Sequence, residues 1–260
     1  MANHENTHMD GTVIVEHAGE VGVMGNYQVV GHPVPRKDGV EKVTGAAVFG
    51  PDVTFPDLLY AAVYQSPHAH AKILSYDLEE ARAVPGVRLV LTGQELPNNF
   101  GAFIADQPIL ARDKVRYHGE PVVAVVADDA HAAKKAAQLV HVDYEPLPVV
   151  LDPYEAMQPG APLVHENWSN YTHTSDFTAV DGTNLCDHFP LRCGDVEKGL
   201  AEADVVIENT YRTAGINHST IEVHVATAKF EPATKQLTIW SPAQSPFMVR
   251  KQLAGLFGLK

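Results

Sequence analysis

An α+β fold is the class this sequence predicts, and three observations predict it. Residues 121–127, Pro-Val-Val-Ala-Val-Val-Ala, are apolar throughout, as a strand buried on both faces must be. An alanine-dominated stretch, 131–139, lies just behind Asp128 and Asp129, and a short strand-like run, 140–144, follows at once. Strand, helix and strand in such quick succession form a compact α+β unit. The pattern recurs at the end of the sequence, where 237–240 reads as a buried strand, Ser241-Pro242 as a tight turn, and the residues beyond Pro246 as an amphipathic helix.

Taken in order, residues 1–26 are polar and without a clear period, and read as a mobile leader with a candidate edge strand at 12–16. A Pro- and Gly-rich passage, 31–49, carries turn signals at Arg36-Lys37-Asp38-Gly39 and at Lys42-Val43-Thr44-Gly45. Residues 58–65 form a compact apolar strand, and 71–77 alternate like a half-buried one. A short helix over 78–84 is stopped by Pro85-Gly86, and a strand over 87–91 ends at Thr92-Gly93. Residues 98–119 read as a loop. Asp128 or Asp129 caps the helix at 131–139, and Glu145-Pro146-Leu147-Pro148 closes the strand at 140–144. One domain over 27–150 is expected, followed by a connector over 151–190. Within that connector 152–157 reads as one helical turn, and the long polar stretch 167–188 is expected to wrap across another domain or subunit. In the final section, 191–260, Asp195 caps a helix over 196–203 with Glu197 in its first turn, and 204–213 and 223–230 read as strands.

The composition narrows the partners. A formal net charge of -13 argues against nucleic acid or an anionic membrane, since both need a basic surface. No run of eighteen apolar residues is present, so no spanning helix is expected. The first residues lack a basic region followed by an apolar stretch, so no secretory signal is read and a cytoplasmic location is expected. Cys186 and Cys193 are then expected as free thiols.

Several residues could carry chemistry. His68 and His70 form a His-x-His pair whose rings would share a strand face, but no Cys cluster or HExxH spacing accompanies them, and no metal site is expected. His118 and Glu120 read either as an acid/base pair or as a turn, in which Gly119 supplies an unusual dihedral and Glu120 meets a backbone amide. Ser66-Pro67-His68 reads as a turn. His218 and Glu222, four apart, would share a face on a helix or a strand, and could serve a metal or a proton transfer. Gln244 stands alone between the strand at 237–240 and the helix behind it, which is a common way to present a polar group to a ligand. On spacing alone the simpler reading is a turn residue that caps the helix together with Ser245.

Motifs along most of the chain resemble one family. The runs Val34-Pro35-Arg36-Lys37-Asp38-Gly39, Lys42-Val43-Thr44-Gly45-Ala46-Ala47, Ser66-Pro67-His68-Ala69-His70-Ala71, Pro85-Gly86-Val87, Tyr117-His118-Gly119-Glu120-Pro121-Val122 and Asp143-Tyr144-Glu145-Pro146-Leu147-Pro148 occur in order. They are similar to the α/β hammerhead domain of the molybdenum hydroxylases, the xanthine dehydrogenase and aldehyde oxidase family. Gly194-Asp195, the run Ala203-Asp204-Val205-Val206-Ile207-Glu208, and Trp240 to Leu259 around Gln244 resemble the start of that family's molybdenum-cofactor-binding α+β domain. The departure is Ala243, where the family often has Thr.

The resemblance implies a molybdenum–molybdopterin cofactor and hydroxylation of an aldehyde or N-heterocycle, with water as the oxygen source. It implies iron–sulfur and FAD groups on partner chains. Gln244 would reach an oxo ligand of the metal, and His218 and Glu222 would line the path near the cofactor. The family's glycine-rich cofactor loop and its catalytic Glu have no counterpart in these 260 residues, so no catalytic residue is assigned here. The expectation is the N-terminal part of a molybdopterin-binding large subunit, incomplete alone and completed by the remaining half, with iron–sulfur and FAD subunits. The alternative is a non-catalytic scaffold or assembly module that keeps the hammerhead fold.

Overall fold

The computed structural model describes residues 33–173 and 178–259, together with Val29 and the backbone of two short strands near the start. Those strands, β1 (Glu16–His17) and β2 (Glu20–Val21), pair antiparallel. The expected leader and the candidate strand at 12–16 otherwise lie outside the described residues.

The two turn signals in 31–49 prove to be the two ends of one helix, α1 (Gly39–Thr44). Asp38 takes Arg36 and Lys42 at 2.6 Å each, and its bonds to the two cations hold the carboxyl well below the usual carboxylate range. Gly45 closes the helix with φ 75°, a conformation that favours glycine. Behind it come β3 (Tyr60–Gln65), β4 (Ala71–Asp77), α2 (Glu79–Ala83) and β5 (Val87–Thr92). The passage expected as a plain loop contains three two-residue strands: β6 (Asn99–Phe100), β7 (Gln107–Pro108) and β8 (Lys114–Val115). They escape a sequence reading because a two-residue ladder leaves no alternation to detect. Then follow β9 (Pro121–Ala127), α3 (Ala130–Gln138) and β10 (His141–Pro146).

Two antiparallel three-stranded sheets result, in orders β3–β9–β5 and β10–β4–β8. β9 is the centre of the first sheet, and Val122, Val123, Val125 and Ala127 are fully buried on it. Each such valine contributes about 1.5–3 kcal/mol of burial. One continuous core joins them to Ala71 and Val115 of the second sheet. α3 lies against β3 and β9 through Ala132, Ala133, Ala136 and Ala137, small side chains that let the helix sit close. Of the two candidate caps, Asp129 accepts from the Ala132 amide at 2.8 Å, while Asp128 pairs with Arg88 at 2.7 Å.

The connector folds back on the edge formed by residues 104–116. After α4 (Pro153–Ala156), capped by Asp152, the Lys114 ammonium reaches Glu166 at 2.6 Å and the Leu163 carbonyl at 3.2 Å. Trp168 is buried and donates to the Thr183 carbonyl at 2.9 Å. Asn184 accepts from the Val164 amide and donates to the Ala156 and Pro162 carbonyls, so the long polar stretch is pinned by its own side chains.

The last section holds α5 (Val196–Glu202), β11 (Thr227–Glu231), β12 (Gln236–Trp240) and α6 (Pro246–Phe257). Asp195 caps α5 at the Lys198 amide, as expected. The strand expected over 204–213 does not form, and only the end of the one expected over 223–230 does. β propensity alone does not make a strand: the ladder needs a partner, and none of the described residues pairs with 204–213.

Candidate functional site

The site is built on the β11–β12 hairpin. Its register runs from Thr227 opposite Trp240 to Glu231 opposite Gln236, and the turn closes through Lys235 at φ 56°. β12 delivers the chain to Ser241-Pro242, a bend at Gln244, and α6. Ser245 occupies the N-cap position, but its side chain makes no capping bond; its carbonyl accepts from the Met248 and Val249 amides. Gln244 is exposed at this strand-to-helix corner, and among the described residues no hydrogen bond engages its carboxamide. The capping role is therefore not taken by either side chain, and the Gln244 amide is open to a ligand.

The loop 49–55 holds this corner in place. Glu222 accepts from the Gly50 amide at 3.2 Å. The Phe55 and Trp240 rings stack tilted at 5.0 Å. Gly50 sits so close that a β-carbon there would come within 2.7 Å of Val225 Cγ1 and 3.6 Å of Pro242 Cδ. Glu222 thus has a positional task, which brings its segment to the same loop that touches Pro242, two residues before Gln244. His218 lies exposed in an irregular stretch, next to Ser219 at φ 47°. Helical or strand periodicity does not apply there, and among the described residues no hydrogen bond or ion pair joins His218 to Glu222. Two clefts flank α6. One, of about 490 Å³, lies between β12 and the helix and includes Ala243, Arg250 and Leu253. The other, of about 840 Å³, lies between α6 and the β6–β7 corner, with Arg112, Tyr171, Lys251 and Gln252 on its walls. Arg112 is already committed there, to the Leu96 and Pro97 carbonyls and to Asn99. Asn98 ties this corner to the last turn of α6 through the Leu256 carbonyl at 3.2 Å.

The other candidates settle into structural positions. Gly119, at φ 85°, donates to the Ser66 carbonyl, and the buried Glu120 carboxylate accepts from the Arg116 amide, so this segment is a turn. Ser66 and His68 bond to each other across the bend at the end of β3. His70 is buried with Nδ1 at 2.6 Å from the Pro148 carbonyl, whereas His68 packs edge-on against Tyr144 at 4.9 Å. Among the described residues no cluster of three His, Cys, Asp or Glu side chains is placed to hold a metal ion. Cys186 and Cys193 are free and exposed.

One polar cluster escaped the sequence. His165 is buried against Trp168 at 4.7 Å, with Nδ1 at 2.9 Å from Tyr171 Oη and Nε2 at 3.9 Å from Asp106. Burial, with Arg116 and Lys114 nearby, pulls the imidazole down to about 4, and burial raises the Asp106 carboxyl. At neutral pH the ring is uncharged and serves as a latch between the connector and residues 104–116. His165, Trp168 and Tyr171 are near neighbours in sequence, but Asp106, Lys114 and Arg116 come from a distant segment, so no one window shows the whole cluster.

Comparison with known proteins places these features. Residues 44–148 match the sequence model described as "Aldehyde oxidase and xanthine dehydrogenase, a/b hammerhead domain", and residues 178–260 match "Molybdopterin cofactor-binding domain". The chain is 33% identical over 236 residues to the nicotinate dehydrogenase large molybdopterin subunit of Eubacterium barkeri, covering 90% of this chain and 52% of that protein. It is 33% identical over 234 residues to the carbon monoxide dehydrogenase large chain of Afipia carboxidovorans, covering 86% of this chain and 28% of that protein. In three dimensions it is similar to the Cu,Mo-CO dehydrogenase in its carbon monoxide reduced state, with a TM-score of 0.74 and 31% identity over 87% of this chain and 29% of that one. The chain therefore spans between about a quarter and about half of the proteins it matches. By its two matched regions and the fold they share with these enzymes, the chain belongs to the aldehyde oxidase and xanthine dehydrogenase family, as an a/b hammerhead domain with part of a molybdopterin cofactor-binding domain.

Proposed function

We propose that this chain is the first part of a molybdopterin-binding large subunit, and that Gln244 faces the cofactor. The observation that carries the reading is the open carboxamide of Gln244, held at the end of β12 by the 49–55 loop. An N–H donor at that corner fits an oxo group on the metal. The cradle for the pterin and its phosphate is assigned to the remaining portion, since among the described residues the glycines with positive φ are isolated and form no glycine-rich loop. When bound, the cofactor supplies hydroxylation of an electron-poor carbon, with oxygen from water. This chain's own residues orient: Gln244 positions a hydrogen bond, and Glu222 and Gly50 keep its strand in place. His218 and Glu222 are assigned to the approach to that pocket.

The substrate class is an aldehyde or an N-heterocycle. The partners are the remaining molybdopterin-binding portion and subunits carrying iron–sulfur and FAD, in a cytoplasmic complex. The exposed thiols agree with a reducing compartment, and among the described residues no helix is long and apolar enough to cross a membrane. The 260 residues alone are expected to show no turnover.

The test is purification of the complex from its native source, with metal analysis, and replacement of Gln244. Molybdenum is expected to co-purify, and Gln244→Ala is expected to lower kcat by about 100-fold with metal content retained, as for loss of one positioned donor. A complex without molybdenum, or unchanged kcat in Gln244→Ala, overturns the assignment.

A further inference from the structure

We infer that residues 204–211 form a strand only when they pair with another strand, and that the pairing strand belongs to the portion of the molybdopterin-binding domain that lies outside this sequence. The inference rests on reading 178–260 as part of that domain. Asp204-Val205-Val206-Ile207-Glu208-Asn209-Thr210-Tyr211 is a β-branched run with the composition of a strand. Yet among the described residues it has no ladder partner, and Val205 is 74%, Ile207 78% and Tyr211 84% exposed. Single exposed apolar residues are ordinary, but a consecutive run with free backbone groups is a template for strand addition.

What covers it follows from three further observations. Ile216, Ile221 and Val223 are exposed in the same section, so the apolar surface extends beyond one segment. β11 and β12 form a two-stranded sheet, which needs further strands or another packed face for independent stability. The chain spans 52% and 28% of two relatives, so those proteins extend well beyond the matched region, with room for the strand this run lacks. The section 191–226 is acidic, with Asp195, Glu197, Glu202, Asp204, Glu208 and Glu222 against Arg192, Lys198 and Arg212. The occupant is therefore a strand with an apolar face and basic flanks.

Hydrogen exchange on the complex purified from its native source, against the 260-residue chain alone, tests this. Amides of 204–211 are expected to exchange on the order of 100-fold more slowly in the complex, while those of β9 and α3 keep their rates. Equal, fast exchange of 204–211 in both preparations overturns the inference. So does protection that arises in a complex containing only copies of this chain. Val206→Pro, which removes an N–H from the run, is expected to cut recovery of the complex at least about tenfold while leaving the thermal midpoint of the isolated chain unchanged, and Val206→Thr is expected to restore recovery. Full recovery of the Val206→Pro complex also overturns it. The readouts are independent of metal: protection without molybdenum sinks the cofactor assignment alone, and molybdenum without protection sinks this inference alone.

Discussion

Replacing Gly50 by Ala isolates the contact that holds the Gln244 corner. Gly50 has no positive φ, so alanine is allowed by the backbone and only the added methyl matters. That methyl would stand 2.7 Å from Val225 Cγ1, about 1 Å inside an ordinary carbon–carbon contact. Val225 is β-branched and stiff about χ1, so relief requires its backbone to move, and with it the Glu222 segment. Overpacking of this kind costs about 1–3 kcal/mol. Alanine lowers the entropy of the unfolded chain and returns roughly 0.4–1 kcal/mol. The net loss is about 1–2 kcal/mol, confined to the docking of 222–242 on the 49–55 loop. The two tryptophans report on different places, since Trp240 stacks on Phe55 and Trp168 is buried in the connector. Urea titration followed by the two indole N–H resonances is the assay. The Trp240 transition is expected to fall by roughly 0.5–1 M urea, and that of Trp168 to stay. Gly45→Ala is the control: it has open space around it but φ 75°, so it strains α1 and leaves Trp240 alone. An unmoved Trp240 transition in Gly50→Ala, or both indoles moving together, would refute the argument.

Acidification should weaken the connector's hold. The His165 imidazole lies at about 4 in the folded protein against an ordinary value near 6.5, so between those values the unfolded chain binds more protons and stability falls with pH. The loss is roughly 2 kcal/mol once solvent screening is allowed for, and Asp106, whose carboxyl is raised, offsets part of it. Thermal midpoints measured from pH 7 to pH 4 should fall for the native protein and flatten for His165→Gln; parallel curves would contradict the latch. Lys114 is only 8% exposed, and its partner Glu166 is 57% exposed, so the two ends of this pair are not equivalent. Glu166→Gln, which leaves the ammonium buried with a weaker partner, should cost about 1–3 kcal/mol by urea unfolding. Lys114→Met, which removes the charge at similar volume, should cost less, and the reverse order would show that the ion pair itself holds the connector.

The central unit was legible because its signals are local. β9 is apolar along its whole length, α3 is alanine-rich behind an aspartate, and each needs no distant residue to declare itself. α1 was partly legible: its two ends were read as separate turns, since six residues carry too little periodicity to reveal the helix between them. The strand at 204–213 was a reasonable inference that the folded chain does not realise, because a strand is a property of a pair. The Gln244 corner was visible as a pattern, while its support by Gly50, Val225 and Phe55 was not. Gly50 and Phe55 lie more than 160 positions from the residues they hold, and only folding brings them together.

The amino-acid sequence alone determined the class of fold, the central elements, the family resemblance and the place of Gln244 in its chain. Each depends on side chains close in sequence: apolar runs, caps and turn residues act over one or two turns of backbone. The tertiary structure decided which polar groups meet. It set Glu222 on the Gly50 amide rather than beside His218, joined Lys114 to Glu166, and placed Asp106 beside His165. Long-range pairing follows from how whole sheets and connectors pack, and no window of sequence holds that information.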